Sequence, residues 1–127
     1  MLAPMMTTND LHAFFERGWN RHDVDLLMTF MAEDCVFDST AGPEACGTRH
    51  AGRELVRRAF ARVFEVFPDA RFAEARHFIA GDRGVSEWRF TGTTAEGKEV
   101  EVDGCDLFTI EGDKIARKSS YFKTRTP

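Results

Sequence analysis

Gly104-Cys105-Asp106-Leu107-Phe108-Thr109-Ile110-Glu111-Gly112-Asp113-Lys114-Ile115 contains a chain reversal. Its first half alternates, with Asp106, Phe108 and Ile110 on one face and Cys105, Leu107 and Thr109 on the other, the period of a half-buried strand. Glu111-Gly112-Asp113 is a short glycine-bearing connection, so the next run returns antiparallel to the first. The same pattern recurs outward from this hairpin. Arg71–Ala80, Val85–Thr94, Lys98–Ile110 and Lys114–Lys123 read as strands, separated by Gly81–Gly84, Ala95–Gly97 and Glu111–Asp113. Four consecutive strands with short connections form an antiparallel meander.

Upstream of Asp69 the period changes to that of helices. Leu11, Phe14, Phe15, Gly18 and Trp19 fall at i, i+3, i+4, i+7 and i+8, a one-faced helix that Asn9 or Asp10 can cap. Asn20–His22 is a tight turn, and Asp23 caps a second helix with Val24, Leu27, Met28 and Met31 in one stripe. Cys35–Asp38 reads as a short strand, followed by a long loop over Ser39–Thr48. From Ala51 to Phe67 the positions Leu55, Ala59, Phe60, Val63, Phe64 and Phe67 repeat at helical spacing until Pro68 stops the helix. Helices first and a meander afterwards is an α+β arrangement, a curved antiparallel sheet wrapped around three N-terminal helices.

With 127 residues, 43% hydrophobic and 30% charged, the chain has the size and composition of one domain, expected over 9–127 behind a flexible tail over 1–8. Seventeen basic against 21 acidic residues, with no run of five like charges, give no electrostatic footprint for nucleic acid. The segment Met1–Asp10 lacks a basic residue and an apolar run, and no stretch is long and apolar enough to span a membrane, so a cytoplasmic location is expected. Three well-separated cysteines, Cys35, Cys46 and Cys105, suit reduced thiols. Twelve phenylalanines against one tyrosine supply material for a core or for an apolar cavity.

The order of elements, with Trp19-Asn20-Arg21-His22-Asp23, Phe30–Asp38 (FMAEDCVFD) and Gly104–Ile115, resembles the nuclear transport factor 2-like superfamily. Within it the resemblance is to the SnoaL-like branch, which includes polyketide cyclases and steroid Δ5-3-ketoisomerase. It covers residues 9–123 and implies a cystatin-like cone with an internal pocket, commonly paired as a homodimer. Cys105 and Leu107, opposite Asp106 in the alternation, suit such a paired face. The superfamily hosts isomerases, cyclases, dehydratases and binding modules, so the fold alone does not select an activity.

Asp106 matches the position at which ketosteroid isomerases hold a protonated aspartic acid against the substrate oxyanion. The strand period agrees, because a carboxyl sharing a face with Phe108 and Ile110 is expected to be desolvated and its pKa raised; ketosteroid isomerase is itself the standard case of such a neutral acid. The family's oxyanion tyrosine falls on Phe15, which has no donor. The family's general-base aspartate falls on Ser39, with Asp38 one residue earlier and so on the opposite face unless a bulge intervenes.

Other candidates follow from face and chemistry. His77 is a proton shuttle if it faces the cone, but Phe72 and Phe78 share one face of its strand and His77 and Ile79 the other. Lys118, on the face of Ala116, Ser120 and Phe122, reverses the electrostatics of Asp106 if the two meet, since an ion pair lowers a carboxyl pKa that burial raises. Phe15, Trp19, Trp88, Phe108 and Phe122 are candidates for the lining of a pocket for a ring-bearing ligand. Cys46 and His50 lack the second pair that a zinc site needs, and no nucleotide-binding glycine motif is present, so neither metal nor cofactor is expected.

Two functions are compatible with these residues. One is a cofactor-free isomerase, cyclase or lyase acting by acid/base chemistry on a hydrophobic carbonyl compound, with Asp106 at the oxygen and Asp38 or His77 as the base. The other is a non-catalytic module that binds an apolar ligand, or a dimerising protein with a filled cone. Catalysis requires a second titratable group near Asp106; a surround of only Phe, Trp and Leu would leave binding alone.

Overall fold

A computed structural model describes residues 3–127. The chain runs through helix α1 (Thr8–Ala13), a π-helical continuation (Phe14–Trp19), α2 (Val24–Thr29), β1 (Met31–Asp38), β2 (Arg49–Ala51), α3 (Arg53–Val66), β3 (Arg71–Ala80), β4 (Arg83–Thr93), β5 (Glu99–Glu111) and β6 (Lys114–Phe122). The α+β order is as expected. The six strands form one curved sheet in the order β2-β1-β6-β5-β4-β3. All neighbours are antiparallel except β1 and β6, which run parallel because the chain crosses from one to the other through the rest of the domain.

Local chemistry accounts for several boundaries and corrects others. The first helix is capped by Thr7, not by Asn9 or Asp10: its hydroxyl accepts from the Asp10 N–H while the Asp10 carboxylate accepts from the Thr7 N–H, a reciprocal capping box. The tail expected over 1–8 is correspondingly shorter. Met6 is buried and its N–H donates to the Gly112 carbonyl at 2.9 Å, so the segment is tied to the β5–β6 turn before the helix begins; Met1 and Leu2 lie outside the described residues. Asp23 caps α2 as expected, its carboxylate accepting from the Leu26 N–H. Met31 belongs to β1 rather than to the α2 stripe, and Leu55 is exposed on α3, where Val56 and Phe60 are the fully buried positions.

The helices fill the concave face of the sheet. Leu11, Phe14, Phe15, Trp19 and Leu27 pack with Phe60 against Phe72, Trp88, Phe108 and Ile115, and most of the aromatic contacts are edge-to-face. A bulge in β3 between Ala73 and Arg76, with Glu74 at φ 56°, resets the strand's alternation. Phe72 faces inward before it, and His77 and Ile79 do so after it. Phe78 is consequently 57% exposed, which corrects the reading that it shares a face with Phe72.

Candidate functional site

The sheet register aligns four polar residues in one row: His77 on β3 opposite Ser86 on β4, Ser86 opposite Asp106 on β5, and Asp106 opposite Ser120 on β6. Lys118 lies two residues before Ser120 on the same face, the diagonal neighbour of Asp106. Its Nζ stands 3.1 Å from Asp106 Oδ1 and donates to Ser120 Oγ at 2.9 Å. Ser120 Oγ in turn donates to Asp106 Oδ1, and Trp88 Nε1–H donates to Asp106 Oδ2 at 3.0 Å. Both charged side chains are buried, Lys118 at 3% exposure and Asp106 at 0%.

Three donors converging on Asp106 are the partners of an acceptor-only carboxylate, not of a neutral acid that donates to an oxyanion. The expectation that Asp106 donates to a ligand oxygen is therefore corrected: its oxygens face Trp88, Ser120 and Lys118, and it does not line the cavity between α3 and the sheet. The ammonium also rests 4.6, 4.9 and 5.6 Å from the ring centroids of Phe37, Trp19 and Phe60, within cation–π range. Burial pushes the Lys118 pKa down, and the facing Asp106 carboxylate works against that shift.

Lys118 and Ser120, but not Asp106, form part of the wall of that cavity, which has a volume of about 830 Å³. Ala59, Val63 and Val66 of α3 form one side, and Trp88, Phe90 and Val102 another. Val63 and Val66 are only half-buried because the space facing them is cavity rather than protein. Charged residues in and just before β5 and in the C-terminal segment, among them Lys98, Glu101, Lys123 and Arg125, border it. A cavity this large and predominantly apolar, with a few polar groups, has the character of a site for a small organic molecule.

Of the other residues singled out in the sequence, Trp19, Trp88 and Phe122 line the cavity, Phe122 at 47% exposure. Phe15 and Phe108 do not. Phe15 stacks on His77 and meets Phe72, while Phe108 packs against Phe14, so both are core. His77 faces inward but lies under Phe15, with Nδ1 hydrogen-bonded to Ser86 Oγ at 2.7 Å. Burial and then the neighbouring His12 hold its pKa below the ordinary histidine value, so it sits in the core as a neutral ring. The structure brings His77 into the Asp106 row but not to the cavity.

Asp38 is on the opposite face of β1 from Phe37, away from the cavity, and has no exposed surface. Arg49 donates to it through Nε and Nη2 at 2.8 and 2.9 Å, and Arg117 Nε donates at 2.9 Å. Asp38 as catalytic base is thus corrected: its carboxylate is committed to two guanidinium groups. The Arg49 hydrogen bonds hold its pKa below the usual carboxylate range, with Arg117 adding to the effect. An unfolded aspartate titrates near about 3.9. Below that pH the unfolded chain takes up the proton first, so this site's stabilisation is complete above about pH 4 and declines as pH falls through the folded value. In urea titrations from pH 6 to pH 3, Asp38→Asn is expected to flatten the acid limb of the stability profile; an unchanged limb would contradict the triad.

Ser39, one residue on, lines the cavity, as does His50 from β2. His50 is half-buried and stacks on Phe37 with ring centroids 5.6 Å apart at 19°. In the sequence His50 stands out only as half of a Cys46–His50 pair, and Phe37 carries no functional signal. The local feature that brings both to the cavity is the strand Arg49–Ala51, which closes the loop against β1.

Gly104 determines how Trp88 reaches Asp106. The two are direct partners across β4 and β5, and a Cβ at residue 104 would stand 2.5 Å from the Trp88 ring and 2.5 Å from the Tyr121 carbonyl oxygen. Only a bare backbone lets the indole lie across β5 with its N–H on the carboxylate. Gly104→Ala is expected to cost about 1–3 kcal/mol by overpacking, read by urea unfolding together with a change in tryptophan fluorescence. A neutral substitution would show that Trp88 has other room.

A family model for the SnoaL-like domain matches residues 11–118. None of the curated proteins matches the sequence. Among solved structures, a candidate polyketide cyclase from Pseudomonas putida KT2440 superposes with a TM-score of 0.81 at 21% identity, over 94% of this chain and 92% of that one. An uncharacterised cystatin-fold protein from Novosphingobium aromaticivorans gives 0.74 at 21% identity over 94% and 99%. TerC, co-crystallised with polyporic acid, gives 0.74 at 21% identity over 91% and 89%.

Proposed function

Because the chain belongs to the SnoaL-like domain family, we propose that it is a small acid/base enzyme acting on an apolar, ring-bearing carbonyl compound held in the cavity between α3 and the sheet. The observation that carries this reading is Lys118, a residue of the cavity's aromatic wall that is buried against Asp106. Well-packed apolar residues are usually at least as stable as a buried ion pair, so stability alone does not call for a lysine in this wall, whereas a polar ligand atom in the cavity gives it a use.

Lys118 is the group that meets the ligand oxygen. Asp106, Ser120 and Trp88 fix its position, so the ammonium is preorganised where negative charge develops as a proton leaves the carbon beside the carbonyl. His50 is the titratable group best placed to take that proton: it lines the same cavity and contacts the same Phe37 ring as Lys118. Lys118 is the second titratable group that catalysis requires beside Asp106, which favours the enzymatic reading over a purely apolar binding module. Co-crystallisation of TerC with polyporic acid supports an organic ligand for the fold.

Thermal unfolding with 2-tetralone and with 2-naphthol, a stable mimic of its enol, tests this. At 100 times its Kd either compound adds about 2.7 kcal/mol. 2-Naphthol is expected to raise the midpoint of the wild type more than that of the Lys118→Met/Asp106→Asn double variant, whose cavity lacks the cation. If neither compound stabilises the wild type at millimolar concentration, the carbonyl-ligand reading fails.

A further inference from the structure

We infer that Lys118 is a nucleophile, whose Nζ condenses with the carbonyl carbon of the bound ligand to form an imine. This rests on the carbonyl-ligand reading above and narrows it, from a lysine that only polarises the oxygen to one that bonds to the carbon. Three features of the site argue for it. Lys118 is part of the wall of an apolar cavity large enough for a ring-bearing molecule. A proton acceptor stands 3.1 Å away in Asp106 Oδ1, with a second route through Ser120 Oγ, which accepts from Nζ at 2.9 Å and donates to the same carboxylate oxygen. The rings of Trp19, Phe37 and Phe60 surround the nitrogen and exclude the water that would otherwise hydrolyse an imine.

The chemistry balances within these groups. The ammonium passes one proton to Asp106, freeing the lone pair on Nζ. That pair forms the N–C bond as the C=O π electrons move to oxygen, and the positively charged nitrogen passes one of its two protons to that oxygen, giving a neutral carbinolamine with the lone pair restored on nitrogen. The C–O bond then breaks, the proton held on Asp106 leaves with the oxygen as water, and nitrogen's lone pair forms the C=N bond. Ammonium and ketone have become iminium and water, with no oxidant, reductant or external acid. The product carries the same single positive charge as Lys118 did, so the counter-ion and aromatic surround built for the ammonium serve the iminium without rearrangement. Burial lowers the cost of the first proton transfer, because it disfavours the charged lysine. An iminium acidifies the adjacent C–H more than a neutral carbonyl does, which gives His50 an easier proton to remove.

Benzoylacetone is a direct probe, because a lysine imine of a 1,3-diketone rearranges to a conjugated enaminone that persists without a reductant and absorbs in the near ultraviolet. Intact mass spectrometry of the wild-type protein is expected to show one equivalent of the diketone less one water, with peptide mapping placing it on Lys118 rather than on Lys98, Lys114 or Lys123. Asp106→Asn, which keeps the shape but loses the proton acceptor, is expected to form the adduct about 10²-fold more slowly. Prior addition of 2-naphthol is expected to block it. If benzoylacetone raises the unfolding midpoint yet adds no mass, or adds only at the other lysines, the covalent step is overturned and the carbonyl-binding reading stands. If it neither binds nor adds, both fall.

Discussion

Lys118→Met is expected to lower the free energy of unfolding by about 3–5 kcal/mol, the usual cost of removing one member of a buried ion pair. Methionine fits the stem of the lysine, so little is lost in packing; the cost arises at Asp106. That carboxylate has no exposed surface and would keep only the Trp88 and Ser120 donors. Against a typical total of about 5–15 kcal/mol, the loss is large enough to bring the domain close to unfolding. Adding Asp106→Asn removes the stranded charge, and the double variant is expected to return to within about 1 kcal/mol of wild type or above it, because a neutral pair in an apolar surround often matches an ionic one. Urea denaturation of wild type, both single variants and the double variant closes the cycle and gives the coupling directly. A Lys118→Met protein as stable as wild type would mean that water reaches Asp106, and the site would have to be redrawn as a solvated one.

The distinction between the legible and illegible parts of this molecule follows the range of the interactions involved. The β5 strand was readable because its alternation is local: Asp106, Phe108 and Ile110 face inward as their spacing implies. The helices were readable for the same reason, apart from ends governed by Thr7 and by the early start of β1. The direction of His77 was not, because one extra residue at the Glu74 bulge exchanges the faces of β3 and leaves no period to detect. Asp38 was assigned a catalytic role because nothing near it in sequence shows that Arg49 and Arg117, 11 and 79 residues away, converge on it. The Asp106–Lys118 contact depends on the β5–β6 register, and the slip at Thr109/Ile110 makes that register hard to count across the turn. From the sequence Lys118 reads at least as readily as a solvated edge lysine; the fold instead buries it 3.1 Å from Asp106.

His50→Gln is expected to separate chemistry from stability at the cavity. His50 lies on a three-residue edge strand, half-buried, with its ring against Phe37, so a glutamine of similar reach should leave the unfolding free energy within about 0.5 kcal/mol of wild type. Ligand affinity should also hold, since the cation and the aromatic walls are untouched. What disappears is the imidazole nitrogen that can accept a proton from the ligand carbon. Losing a general base costs about 10²–10⁴-fold in rate. The readout is exchange of the α-protons of 2-tetralone in D2O, followed by NMR over a range of ketone concentrations: wild-type protein is expected to accelerate it, and His50→Gln to lose most of that acceleration at saturation with KM little changed. This split would place His50 at the reacting carbon, because a residue that only shaped the cavity would change KM and stability together. Undiminished exchange in the variant would instead require the base to be the Lys118–Asp106 pair itself, with neutral lysine removing the proton and Ser120 relaying it.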